Sequence, residues 1–350
     1  MKTKLALVLG IICFMLFPLN ALAQDDVINL TFATFWPSSD FQVKKGHMEW
    51  IQEVEERTDG KVNIDLKSGG ALLGGREIYN GVASGVADIG TTCPAYTPGE
   101  FPLMEAFELP GYENANAVAA SMTVHEGYKR MQKQLGIDSF EDVKLLLLWA
   151  TGPGDIMSKE PVRNLDDLEG MSLRAVGATV EPLERLGANP TGMPMSEAYT
   201  SLQQGIVDGI LGPNDVLKGF RLAEVVNYVT KTPFLYNIVF MKVMNKRTWN
   251  SLPPDVQRVF ENLNEEYAYK YGKLRAKHTR EGLKYGKKEH DMEVIRLSQD
   301  QDQEQKWEQK IQPVVKSWVQ EKEKNDLPAR ETIEIIKKLD KKYSEKYTQY

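Results

Sequence analysis

The chain has 350 residues, 42% hydrophobic and 26% charged, with 43 Lys and Arg against 49 Asp and Glu for a formal charge of −6. This balance excludes a disordered or collagen-like chain and supplies enough apolar residues for two domains of ordinary size. The net acidity argues against nucleic acid or an anionic membrane surface as a partner.

In chain order, Lys2 and Lys4 precede an apolar stretch over residues 5–19, which is followed by Ala21, Leu22 and Ala23. A basic start, an apolar run and an Ala-x-Ala site read as a secretory signal peptide, cleaved after residue 23. The run is shorter than the roughly 20 residues a spanning helix needs. Cys13 lacks the small preceding residue of a lipid-modified cysteine. Cleavage leaves 327 residues, moves the formal charge to −8 and leaves Cys93 as the only cysteine, so no internal disulfide is expected.

Residues 28–35 have the β-branched and aromatic content of a first strand, and residues 41–58 follow with helical spacing up to the turn pair Asp59-Gly60. Residues 62–66 alternate as a second strand, 78–85 read as a helix closed by glycine, and 87–91 as a third strand. From Lys144 the order repeats, with strands at 145–150, 172–176 and 207–211 and helices at 180–186 and 196–205. Two similar α/β units joined by a passing strand predict a hinged cleft, and ligands favour such clefts and the carboxyl ends of strands. Residues 255–288 are periodic and free of proline, which predicts one long helix. Residues 302–324 and 331–347 predict two further amphipathic helices, and the charged runs at 322–324 and 337–342 are solvated helix faces.

The apparent enzyme motifs fail on their own chemistry. The glycine-rich run at 69–76 lacks the Lys-Ser/Thr pair that would touch phosphate and magnesium, so it reads as a turn before a helix. The run from Gly81 to Gly85 misses nucleophile-elbow spacing by one residue and reads as helix and cap. His47, His125, His278 and His290 are scattered without a partner at ligand spacing, and Cys93 has no motif partner and reads as a small buried hydrophobe. No metal, no cofactor and no catalytic constellation is expected.

The most informative stretch runs from Gly170 to Gly209: GMSLRAVG at 170–177, LGANP at 186–190 and MSEAYTSLQQGIVDG at 195–209. Together with ERTDGKVNI at 56–64, GVASGVADI at 81–89, PVRNLDDLEG at 161–170 and VMNKRTWNSLP at 243–253, it resembles the periplasmic substrate-binding proteins of TRAP transporters (the DctP type). The resemblance covers nearly the whole exported chain. It implies an α/β, two-domain periplasmic-binding-protein fold with an interdomain ligand cleft and a long helix spanning both domains. The expected division is 24–149 plus about 240–279 for the first domain and 150–239 plus about 280–350 for the second.

The resemblance also implies that Arg174 clamps the ligand's carboxylate. A guanidinium suits that task because it offers two parallel N–H donors in a fixed plane and keeps its charge. Further ligand-binding positions are expected at Phe35 and Trp36 after the first strand, Cys93 and Tyr96 after the third, Met195, Gly212, Asn214, Phe234 and Tyr236. Many sugar-acid and dicarboxylate binders of the family carry a second arginine on the strand before the arginine strand, whereas this chain reads Trp149-Ala-Thr-Gly-Pro there. Fewer charges and more aromatic surface favour a monocarboxylate with an apolar or aromatic body. The expected role is capture without chemistry in the periplasm, by a monomer that delivers its organic acid to the TRAP membrane permease subunits. A sensory ligand-binding module and a secreted enzyme acting on small organic acids are the alternatives.

Overall fold

The computed structural model describes residues 27–297 and 301–350, so the expected leader at 1–23 lies outside the described residues. Strand β1 (Ile28–Thr34) pairs in parallel with β2 (Val62–Lys67) on one side and β3 (Ile89–Thr92) on the other. Strand β4 (Val143–Ala150) lies at the far edge, separated from β3 by an antiparallel strand that arrives from much later in the chain. That strand, β10 (Val239–Asn245), is buried along its whole length, and the sheet order is β2-β1-β3-β10-β4.

The second sheet is built from β5 (Asp155–Ser158), β6 (Ser172–Ala175), β7 (Asn189–Gly192), β8 (Gly209–Gly212), β9 (Tyr228–Lys231) and β11 (Glu293–Arg296), in the order β11-β9-β5-β8-β6-β7. Four of these, β5, β7, β9 and β11, carry too little periodicity for the sequence to announce them. β7 contains Pro190 and Gly192 and among the described residues pairs only with β6, which suits an edge strand because proline cannot donate to a ladder.

Helix α1 (Met48–Arg57) follows a π-helical turn over Gln42–His47, and α2 (Ile78–Ser84) ends at Gly85 with a left-handed backbone. Helix α3 (Ala117–Leu135) has an alanine-rich start that hides its amphipathic period. Its N-terminus is fixed by Asn116, whose side chain accepts from the Val118 and Ala119 N–H groups. In the second unit lie α4 (Val180–Arg185), α5 (Met195–Gln204) and α6 (Val216–Gly219). After α7 (Lys246–Ser251) comes α8 (Pro254–Glu289), 36 residues long. At 1.5 Å per residue it extends about 54 Å.

Two chain crossings and α8 connect the sheets. Where β4 leaves the first sheet and β10 enters it, the segments are zipped together: Thr151 N–H donates to the Ile238 carbonyl at 3.0 Å, and Gly152 N–H donates to Asn237 Oδ1 at 3.1 Å. The early part of α8 buries Phe260, Tyr267 and Tyr271 against the first sheet. Its later part approaches the second, where a β-carbon on Gly282 would stand 2.1 Å from the Asn214 carbonyl oxygen.

Two expectations need correction. Residues 302–324 form not one helix but α9 (Gln301–Ile311) and α10 (Pro313–Glu323), because Pro313 has no N–H to continue the ladder. Residues 280–350 do not all sit with the second unit. The last helix, α11 (Ala329–Lys346), packs on α3, and its Asp340 carboxylate accepts from Glu113 N–H at 2.8 Å and Asn114 N–H at 2.9 Å. Among the described residues no helix is long and apolar enough to cross a membrane.

Candidate functional site

The carboxyl ends of β1 and β3 face the carboxyl ends of β6 and β8 across the gap between the sheets. Phe35 and Trp36 follow β1 directly and stack on one another with centroids 4.1 Å apart; Trp36 leans on Phe240 of β10 at 4.8 Å. Tyr96 ends the short turn Pro94–Tyr96 after β3, which Cys93 enters in an extended conformation, and its ring meets Phe35 edge-on at 5.4 Å.

Arg174 is the third residue of β6 and is 1% exposed, held between β7 and β8. Its Nε donates to the Met193 carbonyl at 2.9 Å and its Nη2 to the Tyr96 hydroxyl at 3.4 Å. Its Nη1 is buried with no hydrogen-bond partner, and no carboxylate pairs with it among the described residues. A buried guanidinium left with a free donor is costly unless something else completes it, which marks the place where an anion belongs. Tyr96 reaches across the gap: its hydroxyl also accepts the Met195 N–H at 2.9 Å.

Phe35, Trp36, Tyr96, Arg174, Met195 and Tyr236, all expected from the sequence, line one cavity. Its volume is about 20 Å³, room for roughly one water. A larger cavity of about 510 Å³ lies beyond Tyr96 and Val176, with Arg76, Phe101 and Glu108 on its walls. The guanidinium belongs to the small cavity, so the small one is the candidate site.

Four expected residues do not reach the lining. Cys93 is 1% exposed behind Tyr96, and burial, reinforced by the charge of Glu108, pushes its thiol well above the ordinary range. Gly212 on β8 supports Met195 from behind: a β-carbon there would come within 3.3 Å of the Met195 methyl. Asn214 turns away, because its amide donates to Asp155 at 2.6 Å in a cluster that also holds Lys231. Phe234 sits on the turn Pro233–Leu235, packed half-buried on the core, and its carbonyl accepts the Gly111 N–H at 3.4 Å.

The structure adds Thr151, Asp215, Phe240 and Arg275 to the cavity wall. Arg275 comes from α8, is 2% exposed, and donates through Nη1 to Asp215 Oδ2 at 2.7 Å and through Nη2 to Gln42 Oε1 at 3.2 Å. One faint signal for it exists in the sequence: Tyr267, Tyr271 and Arg275 recur every four residues, so an arginine occupies the next position of a buried aromatic stripe.

Three buried carboxyls shape the electrostatics. Asp40 is pushed up to about 7, first by burial and further by the charge of Asp215, against the hydrogen bond from Gln42 N–H and the pull of Arg275. Asp215 is raised by burial, with Arg275 opposing. Glu108 is raised to about 8 by burial although Val239 N–H donates to it at 3.0 Å. Burial likewise lifts the Tyr96 and Tyr236 phenols. The wall thus holds one guanidinium without a counter-charge, one paired with Asp215, and aromatic surface between.

The family described as "Bacterial extracellular solute-binding protein, family 7" (DctP) matches residues 32–322. A solute-binding protein of Roseobacter denitrificans is 27% identical over 211 residues, which cover 59% of this chain and 63% of that protein. The chain therefore spans a little under two thirds of that relative. A TRAP periplasmic solute-binding protein from Desulfovibrio salexigens, crystallised as an open complex, is 34% identical, with a TM-score of 0.76 over 92% of this chain and 98% of that one. A TRAP solute-binding protein from Rhodoferax ferrireducens, crystallised with copurified benzoate, is 26% identical, with a TM-score of 0.84 over 91% and 99%.

Proposed function

Because the chain belongs to family 7 of the bacterial extracellular solute-binding proteins, we propose that it is the periplasmic receptor of a TRAP transporter. It captures an organic acid between its two sheets and performs no chemistry on it. The observation that carries this reading is the buried Arg174 guanidinium, with an unpartnered Nη1, in the wall of an aromatic-lined cavity between the units. A carboxylate there would accept from Nη1 and compensate a charge that is otherwise desolvated and alone.

The ligand we propose is a monocarboxylate with an aromatic or apolar body. Trp36, Phe35 and Phe240 make the wall aromatic, and the second guanidinium of the wall is already paired with Asp215. The benzoate bound by the Rhodoferax relative supports the same class. A cavity of about 20 Å³ is too small for any such acid, so the units must part to admit it. The ligand then favours the closed arrangement because Arg174 belongs to one unit and the aromatic wall to the other. Export through a leader at residues 1–23 and delivery of the ligand to membrane permease subunits complete the proposal.

The test is thermal unfolding of the exported chain and of Arg174→Ala with benzoate, phenylacetate, glucuronate and succinate. Stabilisation by the aromatic acids that disappears in the variant supports the reading. Stabilisation by glucuronate or succinate alone sinks the ligand class, and acid binding indifferent to Arg174 sinks the clamp.

A further inference from the structure

We infer that Arg275 is a specificity-determining residue of the same cleft, donating through its unpartnered Nε to an uncharged oxygen, a hydroxyl or carbonyl, on the end of the ligand remote from its carboxylate. This deepens, and rests on, the proposed capture of an organic acid by Arg174.

Both arginines line one cavity, and each keeps one buried nitrogen without a partner among the described residues: Nη1 of Arg174 and Nε of Arg275. They differ in charge balance. Among the described residues Arg174 has no carboxylate partner, whereas Arg275 forms a 2.7 Å ion pair with Asp215, both side chains under 5% exposed. Asp40 stands close enough to the pair to interact electrostatically with both partners. The Arg275 end of the cavity therefore offers a hydrogen-bond donor without a net positive charge. A second carboxylate placed there would be desolvated beside Asp215 and Asp40 with no cation to spare, whereas a neutral acceptor would satisfy Nε and bring no charge.

The geometry also holds that donor in place. The Arg275 guanidinium carbon lies 4.9 Å from the Phe240 ring centroid and 5.2 Å from that of Phe41. Nη1 and Nη2 are committed to Asp215 in the second unit and Gln42 in the first. With each terminal nitrogen anchored by one hydrogen bond and the guanidinium carbon beside two rings, Nε is the nitrogen of Arg275 that has no partner among the described residues. Because Gln42 and Asp215 belong to different units, this arrangement is complete only when the units meet.

The experiment measures dissociation constants for benzoate, 3-hydroxybenzoate and isophthalate by calorimetry, using the wild-type chain, Arg275→Lys, Asp215→Asn and Arg174→Ala. Lysine keeps a cation for Asp215 but removes the Nε donor. The wild type is expected to prefer 3-hydroxybenzoate to benzoate by about tenfold or more, and Arg275→Lys to reduce that ratio to about threefold or less. Asp215→Asn frees the Arg275 charge, so isophthalate should gain about tenfold relative to 3-hydroxybenzoate. A wild type indifferent to the hydroxyl, or a preference that survives in Arg275→Lys, overturns the inference while leaving capture by Arg174 standing. Should Arg275→Lys fail to fold, Asp215→Asn decides: an isophthalate gain supports the inference and no gain overturns it. Failure of all three acids to bind, or binding unchanged in Arg174→Ala, removes the underlying reading and the inference with it.

Discussion

Gly177 and Glu108 meet across the gap between the two units with no space for a side chain between them. A β-carbon on Gly177 would stand 2.5 Å from Glu108 Oε2 and 2.8 Å from the Ala95 methyl, and its φ of +56° already disfavours anything but glycine. The arrangement in which the units meet therefore requires this glycine for two separate reasons, contact and backbone.

Gly177→Ala should hold the units apart and weaken acid binding by about tenfold, since a ligand must then supply the energy of pushing the clash aside. Gly205→Ala is the control, because Gly205 has φ +73° but nothing within 4 Å of its would-be β-carbon. Both variants should lose about 1 kcal/mol of stability from the backbone term. Only Gly177→Ala should lose affinity and give a larger radius of gyration by small-angle scattering with benzoate present. Equal affinities in the two variants would show that the contact is immaterial.

Arg174→Met should separate function from stability. The guanidinium makes two hydrogen bonds but carries a buried charge with no carboxylate beside it. An apolar side chain of similar length should leave the unliganded chain as stable as before, or more stable by about 1–3 kcal/mol, while abolishing stabilisation by acids. A loss of several kcal/mol in urea unfolding without ligand would instead make Arg174 a structural residue.

The pH dependence has a definite sign. Asp40 and Glu108 are raised to about 7 and about 8, so between pH 4 and those values the folded chain holds protons that the unfolded chain has released. Their contribution is fully present below the unfolded carboxyl range and is lost as pH rises through 7 and then 8. Each group should lower stability by up to roughly 1.4 kcal/mol per pH unit within its window. Buried His47 and Lys242, whose charged forms burial disfavours, act in the opposite sense, so the test is a difference: from pH 4.5 to 8.5 the urea midpoint should fall with pH in the wild type relative to Asp40→Asn and Glu108→Gln. Wild-type and variant midpoints that run parallel over that range would contradict the burial of these carboxyls.

Cys93 is 1% exposed, and its thiol is held protonated first by burial and then by the nearby charge of Glu108. At pH 8 it should remain unreactive towards a disulfide reagent in the folded chain and react fully in denaturant. Rapid native labelling would place it at an accessible surface.

The sequence announced elements whose physical cause is local. β1, β2 and α8 were legible because alternation or helical spacing persists over many residues, and α2 because Gly85 supplies the left-handed turn that ends it. Arg174 was singled out by the resemblance of its whole segment, with glycines at 170 and 177 and a following helix, and not by the local pattern alone. β7 and β11 were not legible, since four-residue edge strands owe their conformation to a neighbouring strand's unpaired amides. The break at Pro313 is masked by the helical period on both sides of it, although proline's missing N–H makes it decisive.

By itself, then, the amino-acid order determined the two α/β units, the long helix and the placing of an arginine at a strand end, because propensity, periodicity and turn chemistry act over neighbouring residues. Tertiary structure alone decided that Asn214 turns to Asp155, that Cys93 and Phe234 stay behind the wall, and that Arg275 enters it with Asp215 as its partner. Those outcomes depend on which side chains meet across the gap when β10 and α8 fold back onto the first sheet. A contact between residues 60 positions apart, such as Arg275 with Asp215, leaves no periodic trace in either segment.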